Sequence, residues 1–233
     1  MTSPQVRVVS ERRRLAAEAL GTALLVAAVI GSGIMAQRLT GDRVVALLAN
    51  TIATGGALVA ILLSFGPISG AHLNPAVTLC MVAMKAQTRR SAAGYIAAQI
   101  VGGIAGAVLA NAMFELPPVT WSMTARTGGA QLLSEAVATF GLLGVVISVG
   151  RTRAAITPLA VAAYIVAAYW FTASTSFANP AVTIARAFSN TFAGIRPADI
   201  AGFLVAQALG AAAGAAVFSW LVPMQPREAL ATE

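Results

Sequence analysis

The chain has 233 residues, of which 58% are hydrophobic and only 10% are charged, and its formal net charge is +7. Ordinary soluble domains are about 45–50% apolar and about 25% charged, so this composition excludes a large water-exposed domain and predicts an integral membrane protein. The basic residues lie between apolar runs rather than along one helical face, which argues against nucleic-acid binding.

Six apolar runs are long enough to cross a bilayer, which takes about 20 residues. The first run follows Arg12–Arg14 and is too long for the hydrophobic part of a cleaved signal peptide, so we expect it to be a retained span. Charged residues, glycines and Pro117-Pro118 mark the connections. The predicted spans cover residues 14–37, 44–66, 91–114, 130–150, 156–174 and 198–221.

Two further apolar segments, Asn74–Lys85 and Asn179–Ser189, are too short to cross a bilayer. Each begins with the same five residues, Asn-Pro-Ala-Val-Thr. Asparagine is a good N-cap, and proline fits the first position of a helix. We therefore predict a half-helix that starts at Asn74 and a second that starts at Asn179.

Three landmarks recur in the same order in the two halves of the chain. Glu18 and Glu135 lie in the first span of each half, the Asn-Pro box follows the second span, and Gln99 and Gln207 lie in the third. Because each half has three spans, the second half is inverted relative to the first. We expect one all-α domain over residues 1–233, with six transmembrane helices, two re-entrant half-helices and inverted repeats at about 12–114 and 130–222.

The basic residues predict the orientation in the membrane. An even number of spans places both termini on one side. Of the 15 lysine and arginine residues, ten fall on that side in the predicted topology and five on the other. By the positive-inside rule, both tails, residues 1–11 and 223–233, are expected in the cytoplasm.

The two half-helices would enter from opposite faces and meet with their N-termini near the middle of the membrane. Irregular backbone at that depth must be buried in protein or line a wet cavity. Helix N-termini present unpaired N–H groups and partial positive charge, and Asn74 and Asn179 add side-chain amides. This arrangement suits neutral, hydrogen-bonding solutes and opposes cations, protons included.

These motifs resemble the aquaporin and glycerol-facilitator family over about residues 12–222. The resemblance is carried by the glutamates and glutamines above, by Ser69–His72 and by two boxes, Asn74-Pro75-Ala76 and Asn179-Pro180-Ala181. It implies a passive pore in a bacterial inner membrane, usually in a homotetramer within membrane lipid, with no cofactor and no enzymatic activity.

The family resemblance also implies roles for single residues. Glu18 and Glu135 are expected to support the loops before the half-helices by accepting backbone N–H groups. Gln99 and Gln207 are expected to form hydrogen bonds between helices. For His72 two interpretations stay open, a polar group facing the pore or a brace within its loop.

The sequence departs from the family pattern at its narrowest point. Most members have arginine after the second Asn-Pro-Ala, and this chain has Val182. Alignment with the family without gaps places the other constriction residues at Thr54, Ala167 and Ser176. Loss of the arginine and of large rings predicts a wide, uncharged filter. This set resembles bacterial arsenic-resistance channels, which conduct neutral arsenite and methylated arsenicals. Glycerol, urea and water are further expected solutes.

Arg186 lies one helical turn beyond Val182 and allows two interpretations. It could guard the outer vestibule in place of the missing arginine. We favour the other, an arginine near a half-helix C-terminus that extends toward the membrane interface. Two alternative functions also stay open, a water-selective channel and a transporter coupled to an ion gradient through Glu18 or Glu135.

Overall fold

A computed structural model describes residues 9–223 of the chain. Most of both tails lies outside these residues, including Arg7 and Arg227, which are two of the ten basic residues predicted on the side of the termini. The described residues form eight α-helices, joined by loops and short 3₁₀ turns. The helices are α1 (Glu11–Leu39), α2 (Arg43–Ser69), α3 (Pro75–Ala83), α4 (Arg89–Met113), α5 (Gly129–Thr152), α6 (Thr157–Phe171), α7 (Pro180–Ala185) and α8 (Ile200–Leu221).

Six of the helices, α1, α2, α4, α5, α6 and α8, are long and apolar enough to cross a membrane. The prediction of six spans is therefore confirmed, although the boundaries shift by a few residues. Helix α1 begins at Glu11, before the predicted apolar run, because charged residues can extend a helix beyond the hydrocarbon core. Helix α6 ends at Phe171, earlier than predicted.

The two short helices, α3 and α7, begin at the residues that the Asn-Pro signature indicates. Asn74 caps α3, and its Oδ1 accepts the N–H of Ala76 at 2.9 Å. Asn179 caps α7 in the same way. Helix α7 is shorter than predicted because the chain tightens into a 3₁₀ turn over Arg186–Phe188.

Small residues let the long helices of each half pack closely. A Cβ atom added to Gly106 of α4 would overlap the carbonyl group of Ala23 in α1. The second half repeats this contact, with Gly210 of α8 against the carbonyl group of Ala136 in α5. Such glycines bring two helix backbones into contact inside a membrane.

The two ends of the bundle can be told apart by their contacts. We call the end where α1 begins the terminal side. There the Arg14 Nε donates to the Tyr95 hydroxyl at 2.7 Å, and that hydroxyl donates to the carbonyl oxygen of Ser69 at 2.9 Å. At the other end, the opposite side, the N–H of Thr120 donates to the carbonyl oxygen of Phe188 at 3.1 Å. Phe188 follows α7, so α7 ends toward the opposite side. Helix α3 leads into the start of α4, which carries Tyr95, so α3 ends toward the terminal side.

Candidate functional site

The loops that lead into α3 and α7 are joined by two reciprocal hydrogen bonds. The Asn74 Nδ2 donates to the carbonyl oxygen of Ala178 at 2.8 Å, and the Asn179 Nδ2 donates to the carbonyl oxygen of Leu73 at 2.8 Å. Each amide nitrogen carries a second hydrogen, and both asparagines line the central cavity. The two half-helices thus meet N-terminus to N-terminus inside the bundle.

Glu18 holds the loop before α3 from inside the bundle. Its carboxylate accepts the backbone N–H groups of His72 at 3.0 Å and Leu73 at 2.7 Å. It also accepts the Ser69 hydroxyl at 2.6 Å and the Gln99 amide at 2.7 Å. A fully buried carboxylate is tolerated when its lone pairs are used in this way.

Glu135 makes the corresponding contacts in the second half. Its carboxylate accepts the N–H groups of Phe177 and Ala178, both at 2.8 Å, and the Gln207 amide at 2.6 Å. The Gln207 amide also donates to the Thr183 hydroxyl at 2.8 Å. Because Glu135 is fully buried and makes three such bonds, it has the contacts of a structural support rather than those of a group that exchanges protons with solvent.

The backbone of the two loops is strained at equivalent positions. Leu73 and Ala178, which precede the two asparagines, have φ angles of 51° and 47°. Ala71 and Ser176 have φ angles of 46° and 50°. Left-handed conformations of non-glycine residues cost about 1–3 kcal/mol each. The hydrogen bonds to the two glutamates hold this backbone, which directs the loop carbonyl groups to the opposite asparagine.

A cavity of about 440 Å³ runs along the two half-helices. Its wall includes Gly66 and Pro158 toward the terminal side and Arg186 toward the opposite side, and no carboxylate of the described residues lines it. Seven of the predicted residues line this cavity, namely Thr54, His72, Asn74, Ser176, Asn179, Val182 and Arg186.

The prediction for Ala167 is wrong. Ala167 is exposed on the outer surface of α6, together with Leu159 and Trp170. The residues of α6 that line the cavity include Ile165 and Tyr169. Two residues correspond to about 200° around an α-helix, so an alignment without gaps that misses the register by two positions selects the opposite face.

Tyr169 changes the predicted character of the cavity wall. Its hydroxyl lies 3.3 Å from the Thr54 hydroxyl across the cavity wall. Helix α6 therefore contributes an aromatic ring and a hydroxyl group, where the sequence predicted a methyl group. The expectation of a filter without large rings is corrected accordingly.

The favoured interpretation of Arg186 as an interfacial residue is also wrong. The side chain is only 2% exposed, its guanidinium carbon lies 3.4 Å from the ring centroid of Phe177, and its Nε donates to the carbonyl oxygen of Ala193. Arg186 also lines the cavity. An arginine that extended toward the membrane interface would have an exposed head group.

Arg126, in the connection before α5, was not predicted to contribute to the site. It donates to the carbonyl oxygens of Gly194 at 2.7 Å, Ser174 at 3.1 Å and Phe192 at 3.2 Å, and its guanidinium lies 4.7 Å from the ring centroid of Phe177. Burial lowers the pKa of Arg126 to about 10, which leaves the group charged at neutral pH. Arg126 fastens this connection to the loops on both sides of α7.

His72 combines the two roles that the sequence left open. It lines the cavity, and its Nδ1 lies 3.1 Å from the Thr78 hydroxyl. The Gln99 amide donates to the same hydroxyl oxygen at 3.0 Å, so the threonine can donate its own proton to Nδ1. With this assignment the histidine proton is on Nε2.

Two of the overlooked residues have signals in the sequence. Val161, Ile165 and Tyr169 recur at every fourth position of α6, as expected for one helix face. Phe177 occupies the position in the second half that His72 occupies in the first. Arg126 has no comparable signal, because nothing local indicates which carbonyl groups a loop arginine will meet.

The fold and the site define a class of protein, a membrane channel with two half-helices that meet inside a six-helix bundle. The profile of the Major intrinsic protein family matches residues 5–176. The chain is 56% identical to "Aquaglyceroporin AqpS" of Rhizobium meliloti over 215 residues, which cover 92% of each chain. This chain belongs to the major intrinsic protein family, whose aquaglyceroporins are channels for small solutes and not enzymes.

Further similarities agree with this assignment. The chain is 30% identical to Aquaporin NIP3-1 of Oryza sativa subsp. japonica over 222 residues, covering 91% of this chain and 68% of that protein. The fold is similar to the X-ray structure of the aquaglyceroporin from Plasmodium falciparum, with a TM-score of 0.69 and 21% identity. That similarity covers 91% of this chain and 95% of the other.

Proposed function

We propose that this channel conducts small uncharged solutes that carry both hydroxyl and apolar groups, with glycerol as the reference solute. Urea, water, neutral arsenite and methylated arsenicals are the further expected solutes. The observation that carries the proposal is Val182, an apolar residue in the cavity wall at the position where most of the family has arginine. The similarity to the two aquaglyceroporins supports it.

The chemistry of the cavity wall supports an amphipathic solute. Thr54 and Tyr169 offer hydroxyl groups, and Asn74 and Asn179 offer amide hydrogens, while Val182 offers apolar surface. A polyol can turn its hydroxyl groups to these polar groups and its CH groups to Val182. Cations lack a matching wall, because no carboxylate of the described residues lines the cavity.

The first test is a permeability panel on proteoliposomes that contain the full chain. Stopped-flow light scattering should show swelling with glycerol well above that of empty vesicles. Flux of water, urea and arsenite is measured on the same preparation. No permeability above empty vesicles for any of these solutes would contradict the proposal.

A water-selective channel is the second candidate, and Tyr169 and Arg186 favour it. A phenol and a guanidinium at the opposite side add bulky polar groups to the cavity wall. Fast water flux with exclusion of glycerol and arsenite would support this candidate and contradict the first. A coupled transporter would require flux that collapses when a proton or sodium gradient is dissipated. The contacts of Glu18 and Glu135 give no support to such coupling.

Substitution of Val182 by arginine tests the apolar wall. Val182→Arg should lower glycerol flux by about tenfold or more, because the larger side chain reduces the pore diameter that sets selectivity. Water flux should be partly preserved. The matched control is Val182→Thr, which keeps the branched shape and should leave glycerol flux within about twofold. Unchanged glycerol flux through a folded Val182→Arg channel would show that residue 182 does not limit the pathway.

The assembly and orientation are part of the same proposal. We expect a homotetramer with one pathway in each subunit, embedded in a bacterial inner membrane with both termini in the cytoplasm. Apolar side chains such as Leu20, Leu63 and Leu209 are exposed on the bundle and are available to lipid or to neighbouring subunits. Native mass spectrometry of the detergent-solubilised protein tests the tetramer.

A further inference from the structure

Arg186 places a positive charge in the cavity wall, whereas Val182, at the family's usual arginine position, has none. Four residues separate Val182 from Arg186, so the arginine backbone lies about 6 Å farther toward the opposite side. The side chain is 2% exposed and lines the cavity. No carboxylate of the described residues forms a salt bridge with it. Its positive charge therefore acts on whatever passes through the cavity.

The position of the guanidinium is fixed from two directions. Its Nε donates to the carbonyl oxygen of Ala193, which is itself fully buried. Its plane is held against the ring of Phe177, at 3.4 Å from guanidinium carbon to ring centroid. The Phe177 backbone is held in turn by the Glu135 carboxylate. The contacts that hold the loop before α7 therefore also position the Arg186 guanidinium.

The outer nitrogens of Arg186 remain available to a permeating molecule. Within residues 9–223 neither Nη atom forms a hydrogen bond, in contrast to Arg126, which uses both of its Nη atoms to bind carbonyl groups. Neither Nη atom of Arg186 is completely enclosed. A guanidinium has five N–H donors and no acceptor, so the four N–H groups on these nitrogens have no hydrogen-bond partner among the described residues.

We propose that Arg186 is the cation barrier of this pathway and the charged donor that binds the hydroxyl oxygens of the solute. This inference rests on the proposed channel function and adds a residue that determines its selectivity. Val182 leaves one part of the cavity wall apolar. One helical turn farther toward the opposite side, Arg186 supplies a positive charge, and Phe177 and Ala193 hold its guanidinium in place. A cation must then pass a fixed positive charge, whereas an uncharged polyol gains a hydrogen bond.

The test measures proton leak and glycerol flux on the same proteoliposomes. A potassium gradient with valinomycin drives protons inward, and an enclosed pH-sensitive dye reports their entry. Arg186→Gln, which keeps a polar side chain without the charge, should raise proton leak by about tenfold or more. Glycerol flux should fall by about threefold or more, because glutamine is a shorter, uncharged donor, but should stay above that of empty vesicles because the pathway itself remains open.

Two controls separate charge from shape. Arg196→Gln removes the same charge from the same side of the bundle. Arg196 is 39% exposed, pairs with Asp199 at 3.0 Å and does not line the cavity, so its substitution should leave the leak unchanged. Arg186→Lys keeps the charge and should preserve the barrier. Unchanged leak in Arg186→Gln, or leak in Arg186→Lys equal to that of Arg186→Gln, overturns the proposal.

If Arg186→Gln is not recovered in folded form, the unaltered chain still tests the role of Arg186. It must retain an imposed proton gradient while it conducts glycerol. Rapid proton leak through the unaltered, glycerol-conducting chain overturns the role of Arg186 and leaves the channel function standing. Absence of glycerol flux in the unaltered chain contradicts the proposed function instead, so the two failures are distinguishable.

Discussion

Replacement of Glu18 by leucine is expected to prevent recovery of folded, active channel. The carboxylate accepts hydrogen bonds from Ser69, His72, Leu73 and Gln99. Leucine leaves these donors without a partner in the interior, at about 1–3 kcal/mol each. The net stability of a folded domain is only about 5–15 kcal/mol. The strained loop before α3 then loses the contacts that hold it.

The measurement is the yield of monodisperse protein from membranes, followed by glycerol flux of any recovered protein. The matched control is Glu11→Leu, at the exposed start of α1, where the carboxylate contributes about 0.3–1 kcal/mol through the helix dipole. That variant should be recovered normally. Recovery of active Glu18→Leu at the level of this control would show that the loop does not depend on the carboxylate.

Substitution of Gly106 by alanine is expected to lower the apparent Tm by several degrees. The added methyl group would overlap the carbonyl group of Ala23, which belongs to the backbone of α1 and can move only with the helix. Overpacking of this kind costs about 1–3 kcal/mol. Gly56→Ala is the matched control, because a Cβ atom there meets nothing within 4 Å.

The two alanine variants are compared by thermal unfolding in detergent. Gly56→Ala should retain or slightly raise the apparent Tm, because alanine is the better helix former. An equal response of the two variants would contradict the view that α1 and α4 are held in direct backbone contact. Gly210→Ala should repeat the effect of Gly106→Ala in the second half, where the carbonyl group of Ala136 takes the place of that of Ala23.

The architecture was predictable because its signals are local or repeated. Hydrophobic run length gave the six spans, and the Asn-Pro pairs marked the starts of α3 and α7 within one residue. The recurrence of Glu18 as Glu135 indicated the inverted halves. Each of these features depends on one segment or on a match between two segments, so a single sequence carries enough information for them.

The residues that line the cavity were not predictable in the same way. Helical register decides whether Ala167 or Tyr169 lines the cavity, and an alignment without gaps does not determine this register. The environment of Arg186 is formed by Phe177 and Ala193, which contact it only in the folded chain, so spacing along the sequence does not reveal its burial. The Arg186 environment combines the turn after α7, the loop before it and the loop that follows. Such an environment cannot be inferred from composition or spacing.

The reciprocal bonds between Asn74 and Ala178 and between Asn179 and Leu73 have a consequence for biosynthesis. During translation the first half leaves the ribosome and enters the membrane well before the second. Until Ala178 arrives, the Asn74 amide lacks its carbonyl partner, and the carbonyl group of Leu73 lacks its donor. The first re-entrant loop therefore reaches its final form only after most of the chain has been made, and a nascent chain that stops before Asn179 has no closed pore.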